Sequence, residues 1–163
     1  VCCSCSSLRV RGIPKTSVTD LGGNIDGVLA ANDGLGGAAI AVLDKNGIKL
    51  PVTGQDATTG GLQNVLLGKQ CMTVFKNTAL EAGDASALAI ALLNGESPSV
   101  EGTVDVNGTT VPAKYSDPVI IYSENVKDVI DASPGFDVAA LCADDVAAVC
   151  TELGIHRGGR TWM

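Results

Sequence analysis

Between residues 25 and 93, short apolar runs alternate with stretches that repeat apolar residues at helical spacing. Each apolar run has the length of a buried strand, and each helical stretch ends at an Asn-Gly or Gly signal. The predicted strands cover 25–31, 48–53 and 71–75, and the predicted helices cover 35–43, 58–67 and 78–93. Since this order with short links favours right-handed crossovers, we predict an α/β fold with a parallel sheet flanked by helices.

The pattern changes after residue 95. Asn107-Gly108 separates two β-rich runs, which is a strong signal for a small β-hairpin. A further strand is predicted over 119–122, followed by a short helix over 124–130 and two helical stretches around Cys142 and Cys150. We therefore expect the sheet to carry a hairpin insertion and to end in short helices.

The charge balance and the apolar runs exclude two classes of protein. The net charge is −7, and the Lys and Arg residues are scattered, so we expect no nucleic-acid partner. No apolar run approaches the ~18 residues of a membrane-spanning helix. The first residues, Val1 to Ser7, lack the apolar segment of a signal peptide.

The cysteines divide into an N-terminal trio, a single residue and a C-terminal pair. Cys2, Cys3 and Cys5 lack a fourth ligand at suitable spacing, since the one histidine is His156. We therefore predict no metal site, and we interpret the trio as a disordered or artefactual terminus.

The C-terminal pair is Cys142 and Cys150, which lie in one short segment. Their spacing suits a disulfide, which would place the chain in an oxidising compartment. It suits equally two buried free thiols on one helix face, and spacing alone leaves both alternatives open.

Three polar residues stand at the carboxyl ends of the predicted strands, where ligands bind in open parallel sheets. They are Asn32, Asp56 and Lys76. Together they offer hydrogen-bond donors and acceptors suited to a neutral polyhydroxylated ligand. The alternative is structural: Asn32 or Asp33 could cap the helix that follows, and Asp56 could cap the next one.

Catalytic signals are missing from the sequence. It has no nucleophile elbow, no phosphate-binding loop and no dinucleotide fingerprint. The glycines of residues 34–37 are better explained by close packing of a helix on the sheet. His156 lies in a tail without a periodic pattern, so we predict that the chain is not an enzyme.

Two long stretches carry a resemblance to a known family. VLAANDGLGGAAIAVLDKNGI (residues 28–48) and VTGQDATTGGLQNVLLGKQCMTVFK (residues 52–76) resemble the periplasmic sugar-binding proteins of ABC importers, and the xylose-binding type most closely. The resemblance runs from about residue 23 to residue 155. It implies the type 1 periplasmic-binding-protein fold, in which two α/β lobes close around a sugar.

The resemblance also implies roles for individual residues. The Asn of the family's Asn-Asp motif contacts the sugar and corresponds to Asn32, and the Asp of the Gly-Gln-Asp motif corresponds to Asp56. The Lys that closes the next strand in xylose-type members corresponds to Lys76. These are the three positions that the strand-end argument reaches independently.

The same resemblance suggests how the chain is divided. Residues 23–76 correspond to part of the C-terminal lobe, 77–112 return to the N-terminal lobe, and 113–155 form the last crossover and the end of the C-terminal lobe. Residues 1–22 match nothing in the family, and 156–163 read as a tail. The N-terminal lobe has no counterpart here, so we expect an incomplete fold, a fragment with half of the sugar cleft missing.

The leading hypothesis is thus a non-catalytic substrate-binding component of a sugar importer that uses no cofactor. Its implied ligand is a monosaccharide, with a pentose such as D-xylose favoured by Lys76, and its implied partners are membrane permease subunits. Its implied location is extracytoplasmic, although the chain shows no signal peptide. The alternatives are the sugar-responsive effector domain of a transcription regulator and a small α/β enzyme.

Overall fold

The structure is a computed structural model that describes residues 20, 22, 24–98 and 100–156. These residues form two compact units. The first combines the described residues up to Phe75 with those from Val119 onward, and the second is Lys76–Pro118. The N-terminal cysteines and most of the tail lie outside the described residues, so the interpretations placed on them stay predictions.

The described elements are helices and short strands. The helices are α1 Asp33–Lys45, α2 Thr59–Leu66, α3 Thr78–Leu93, α4 Val126–Ala132, α5 Val138–Leu141 and α6 Ala147–Glu152. The strands are β1 Thr73–Phe75, β2 Gly102–Val106, β3 Thr109–Ala113 and β4 Val119–Ile121, and 3₁₀ turns span Ser123–Asn125 and Asp144–Val146. None of the described helices is long and apolar enough to cross a membrane.

The parallel sheet is shorter than the sequence predicts. The apolar runs 25–31 and 48–53 meet in a single parallel bridge between Val28 and Val52. Pro51 has no N–H to donate, and the N–H of Ala30 bonds to the hydroxyl of Thr53 at 3.1 Å instead of to a backbone carbonyl. A side chain thus takes the place of a ladder bond, and the bridge does not extend into a strand pair.

The third predicted strand pairs in a way that the sequence did not indicate. β1 lies antiparallel to β4, with Thr73 opposite Ile121 and Phe75 opposite Val119. The N–H of Cys71 also bonds to the carbonyl of Val52 at 2.8 Å, which joins this part of the chain to the parallel bridge. The fold is therefore α/β, as predicted, with short strands of mixed direction.

Two apolar clusters hold the first unit together. The smaller cluster is formed by α1 and the bridge, and consists of Val28, Ala39, Ile40, Leu43 and Val52. The larger cluster joins α2 and β4 to the C-terminal helices, and its most buried members are Leu62, Ile121, Val126, Val129, Leu141 and Cys150. Since α1 and α2 each bury one face in these clusters, their N-terminal ends are fixed in space.

A disulfide joins the C-terminal helices of the first unit. Cys142 and Cys150 are bonded to each other, and Cys150 is buried in the larger cluster. The side chain of Gln63 in α2 donates to the carbonyls of Ala140 and Leu141, at 2.9 and 3.2 Å. The disulfide segment is thereby tied to α2.

The second unit contains one helix and one hairpin. α3 has the predicted bounds, with Asn77 as its N-cap and Asn94 as its C-cap, and it buries none of its residues. β2 and β3 form the predicted hairpin, in which Asn107 and Gly108 have φ values of 53° and 82°. Positive φ at both central residues is the signature of a type I′ turn.

We expect Gly108→Ala to destabilise this hairpin by about 1–2 kcal/mol, because a side chain disfavours the left-handed backbone that the turn requires. Amide hydrogen exchange at Val106 and Thr109 would measure the loss. Asn107→Gly is the matched control, since glycine also accepts the φ of that position, and it should leave the exchange rates almost unchanged. Equal protection in the Gly108→Ala chain would contradict the expectation.

Candidate functional site

Asn32 ends the segment that follows the Val28 bridge and serves as the N-cap of α1. Its backbone is extended, and its Oδ1 accepts a hydrogen bond from the N–H of Leu35 at 2.9 Å. The capping interpretation is therefore confirmed for this residue. Its Nδ2 makes no hydrogen bond to another residue of the described chain, so this half-buried amide retains donors that can serve a ligand.

Asp56 lies at the end of the segment that follows Val52. It has a φ of 96°, and its neighbour Ala57 has a φ of 48°, so two consecutive non-glycine residues adopt left-handed backbone. Asp56 is exposed, whereas Ala57 is buried. The N-cap of α2 is Thr58, whose Oγ1 accepts from the N–H of Gly61 at 3.0 Å. The suggestion that Asp56 caps this helix is thus wrong, because the helix begins two residues further on and Thr58 supplies the capping oxygen.

Backbone hydrogen bonds bring the ends of these segments together. The N–H of Asp33 donates to the carbonyl of Gln55 at 2.9 Å, and the N–H of Asp56 donates to the carbonyl of Val74 at 2.8 Å. The segments that carry Asn32 and Asp56 are therefore neighbours, and Asp56 lies beside β1. Lys76 follows β1 directly, is half-buried and begins the second unit.

The residue with the densest hydrogen bonding at this place is Asp33, which sequence reasoning treated only as a possible cap. The residue is buried, with 4% of its surface exposed. Oδ2 accepts from the N–H and the hydroxyl of Thr58, at 2.8 and 3.1 Å. Oδ1 accepts from Gln70 Nε2 at 2.9 Å and from Thr73 Oγ1 at 2.7 Å. Four donors thus compensate the buried charge, as buried charges require.

Glycines make room for this carboxylate. A Cβ added at Gly61 would overlap the Asp33 carboxylate, and one added at Gly54 would overlap Asp33 Oδ1 and the Gln70 amide. Gly36 allows α1 to approach the chain closely, because a Cβ there would lie 3.0 Å from the carbonyl oxygen of Thr53. The packing explanation is confirmed for Gly36, and the pairing of Asp33 with two distant glycines is a signal that one sequence does not reveal.

The arrangement offers polar groups for binding. Asp56 carries an acceptor and the Asn32 amide carries donors, both in the first unit, and Lys76 carries an ammonium donor at the start of the second unit. Within residues 24–98 and 100–156, no three His, Cys, Asp or Glu side chains are grouped so that they could hold a metal ion. The polar groups named here can both donate and accept hydrogen bonds.

Comparison with known proteins places the chain in a family. The periplasmic binding protein domain matches residues 16–97, half of the chain. The D-xylose-binding periplasmic protein of Escherichia coli is 33% identical over 120 residues, which cover 72% of this chain and 36% of that protein. The chain thus spans about a third of the length of this relative.

Solved structures agree with the sequence comparison. A carbohydrate transporter solute-binding protein from Chloroflexus aurantiacus, solved with D-glucose, is 32% identical, with a TM-score of 0.64, over 70% of this chain and 34% of that one. An ABC transporter solute-binding protein from Clostridium phytofermentans, solved with β-D-glucose, is 26% identical, with a TM-score of 0.68, over 78% of this chain and 41% of that one. The resemblance in the sequence is confirmed, and the chain belongs to the periplasmic binding proteins, with part of the type 1 fold of that family.

Proposed function

We propose that this chain supplies one wall of the sugar site in the substrate-binding component of an ABC importer, and that it binds without catalysis. Asn32, Asp56 and Lys76 are the proposed ligand-binding residues. The observation that carries the proposal is the pair of backbone hydrogen bonds that hold the Asn32 and Asp56 segments together beside β1.

The polar groups at this position suit a monosaccharide. A sugar hydroxyl both donates and accepts, so it is satisfied by a carboxylate on one side and an amide or ammonium on the other. Asp56 is exposed, while the residue after it is buried, so the protein holds the backbone next to this exposed carboxylate in place. Once a bound sugar and the second lobe cover these groups, the site discriminates against analogues that lack a hydroxyl, because a covered partner is then left without its hydrogen bond.

We infer that the ligand is an aldopentose or a closely related sugar, with D-xylose as the first candidate. The support is the similarity to the D-xylose-binding protein of E. coli together with a lysine at position 76. Two structural relatives hold glucose, so D-glucose is the sugar to compare in every titration.

The proposed partners are the permease subunits of the importer, and the proposed location is outside the cytoplasm. The bond between Cys142 and Cys150 supports that location, since structural disulfides persist in oxidising compartments. Residues 77–112 are proposed to belong with the other lobe of the binding protein. In support of this, α3 exposes large apolar side chains, among them Leu92 and Leu93 at 63% and 86%.

We expect Asp56→Ala to weaken sugar binding about tenfold to a hundredfold, the range for losing hydrogen bonds to a charged acceptor. The measurement is an NMR titration of the chain with D-xylose and with D-glucose. For one wall of a cleft we expect a dissociation constant of millimolar order, about −4 kcal/mol. The amide signals of Asn32, Asp56 and Lys76 should move together in the unmodified chain.

The matched control is Asp44→Ala. Asp44 is another exposed aspartate, and its ion pair with Lys69 at 3.3 Å should contribute little to stability. Binding should survive this change. A second arm replaces the matching region of the E. coli relative with the 120 similar residues of this chain and measures the heat of binding. Unchanged sugar affinity of the Asp56→Ala chimera would refute the assignment.

A further inference from the structure

We propose that Asp33 is the positioning residue of this site. It holds the loop of Asp56, Ala57 and Thr58 in the backbone conformation that presents the Asp56 carboxylate, without touching the ligand itself. This inference rests on the proposed function, because it assigns a role to Asp33 through Asp56.

The loop needs external support, because its backbone is unfavourable by itself. The φ values of 96° at Asp56 and 48° at Ala57 lie in the region that favours glycine. Residues in such conformations persist only where the surrounding structure holds them. The supports must therefore act on these residues or on their immediate neighbours.

Three successive N–H groups of the loop are each held by one acceptor. The N–H of Asp56 donates to the carbonyl of Val74 at 2.8 Å. The N–H of Ala57 donates to Thr73 Oγ1 at 3.2 Å, and the N–H of Thr58 donates to Asp33 Oδ2 at 2.8 Å. Every peptide of the loop is thus fixed at its N–H.

Two of these three supports depend on Asp33. The Thr58 support is direct. The Ala57 support is indirect. The Thr73 hydroxyl donates a hydrogen bond to Asp33 Oδ1 at 2.7 Å, and its oxygen accepts one from the N–H of Ala57. Asp33 orients the hydroxyl, and the hydroxyl holds the loop.

Only a carboxylate fits this position. It accepts from all four donors, while an asparagine would direct N–H groups at two of them. The site is closed to larger residues, since Gly54 and Gly61 already border the carboxylate. Gln70 turns its Nε2 toward Asp33 and Met72 even though its buried Oε1 then lacks a partner in the described chain. The environment is therefore arranged around the charge of Asp33.

The first test is Asp33→Asn in the full chain, with amide hydrogen exchange as the readout. We expect the Ala57 and Thr58 amides to exchange about tenfold faster or more, the range for losing a bond to a charged acceptor. The amide of Leu67, which closes the end of α2 at 2.9 Å, should keep its rate. An equal rise at all three amides would show general destabilisation only and would overturn the proposal.

A second pair of variants tests the same hydrogen bonds in case the Asp33→Asn chain does not fold. Thr73→Val removes the hydroxyl and keeps the shape, so it should release the Ala57 amide as Asp33→Asn does. Thr73→Ser keeps the hydroxyl and should restore the protection of that amide. If Thr73→Val and Thr73→Ser give the same exchange at Ala57, the relay through Thr73 is refuted.

The link to ligand binding is tested by combining variants in a D-xylose titration. Asp33→Asn should weaken binding about tenfold in the unmodified chain and cause no further loss in the Asp56→Ala chain, because both changes act through one carboxylate. Additive losses would overturn the positioning role. If Asp56→Ala alone leaves binding unchanged, the proposed function fails, while the exchange data still decide whether Asp33 holds the loop.

Discussion

Gly61→Ala is expected to lower the free energy of unfolding by about 3 kcal/mol, the upper range for forcing extra atoms into a packed interior. The added methyl would overlap the Asp33 carboxylate, which is buried and bonded to four donors. The carboxylate cannot move away without giving up some of those bonds. Urea unfolding followed by circular dichroism measures the change.

Gly60→Ala provides the matched control. It lies in the same first turn of α2, and a Cβ added there meets nothing within 4 Å. Alanine favours a helix over glycine, so this change should raise stability by up to about 1 kcal/mol. Opposite signs for two adjacent substitutions would show that the space around Asp33 decides the outcome. Similar effects of both would contradict the packing that we describe.

Removal of the disulfide is expected to lower the free energy of unfolding by about 2.5 kcal/mol. The estimate follows from the loop entropy that a bond over a sequence separation of 8 removes from the unfolded chain. The variant changes both cysteines to alanine, Cys142→Ala and Cys150→Ala. Alanine is preferred to serine because Cys150 is 2% exposed, and a serine there would bury a hydroxyl. Urea unfolding of the oxidised chain and of the double variant gives the difference.

A reductant distinguishes this bond from other thiol chemistry. Dithiothreitol should lower the stability of the unmodified chain toward that of the double variant and leave the double variant unchanged. The N-terminal cysteines are present in both proteins, so their response cancels in the comparison. An equal loss of stability in both proteins would show that the effect arises elsewhere.

The sequence predicts best those elements whose limits are set locally. The bounds of α3 follow from the asparagine before it and the Asn-Gly after it, and the hairpin follows from the Asn107-Gly108 turn. The pairing of β1 with β4 is decided instead by contacts between segments that are distant in the chain. The limited parallel pairing depends on a hydroxyl, that of Thr53, which no hydrophobic pattern reveals.

In the site too, the sequence predicts the features that are set locally and misses those that depend on distant contacts. The positions of Asn32 and Asp56 follow from where the apolar runs end, since the chain leaves the sheet there for any pairing of the strands. The importance of Asp33 does not follow, because its four donors come from residues 58, 70 and 73. Asn32 accounts for the capping signal at that point, so its neighbour appears redundant until the fold brings those residues together.

The opposition of Phe75 and Val119 has a consequence for the topology of the chain. The second unit leaves the first after Phe75 and returns to it at Val119, so both of its connections pass through one cross-strand pair. The length of such an insertion has little effect on the stability of the unit that carries it, because doubling the length of a closed loop adds only about 0.6 kcal/mol of closure entropy. Residues 77–118 are thus a place where the chain can lengthen or shorten while Lys76 and the Asp33 network stay intact.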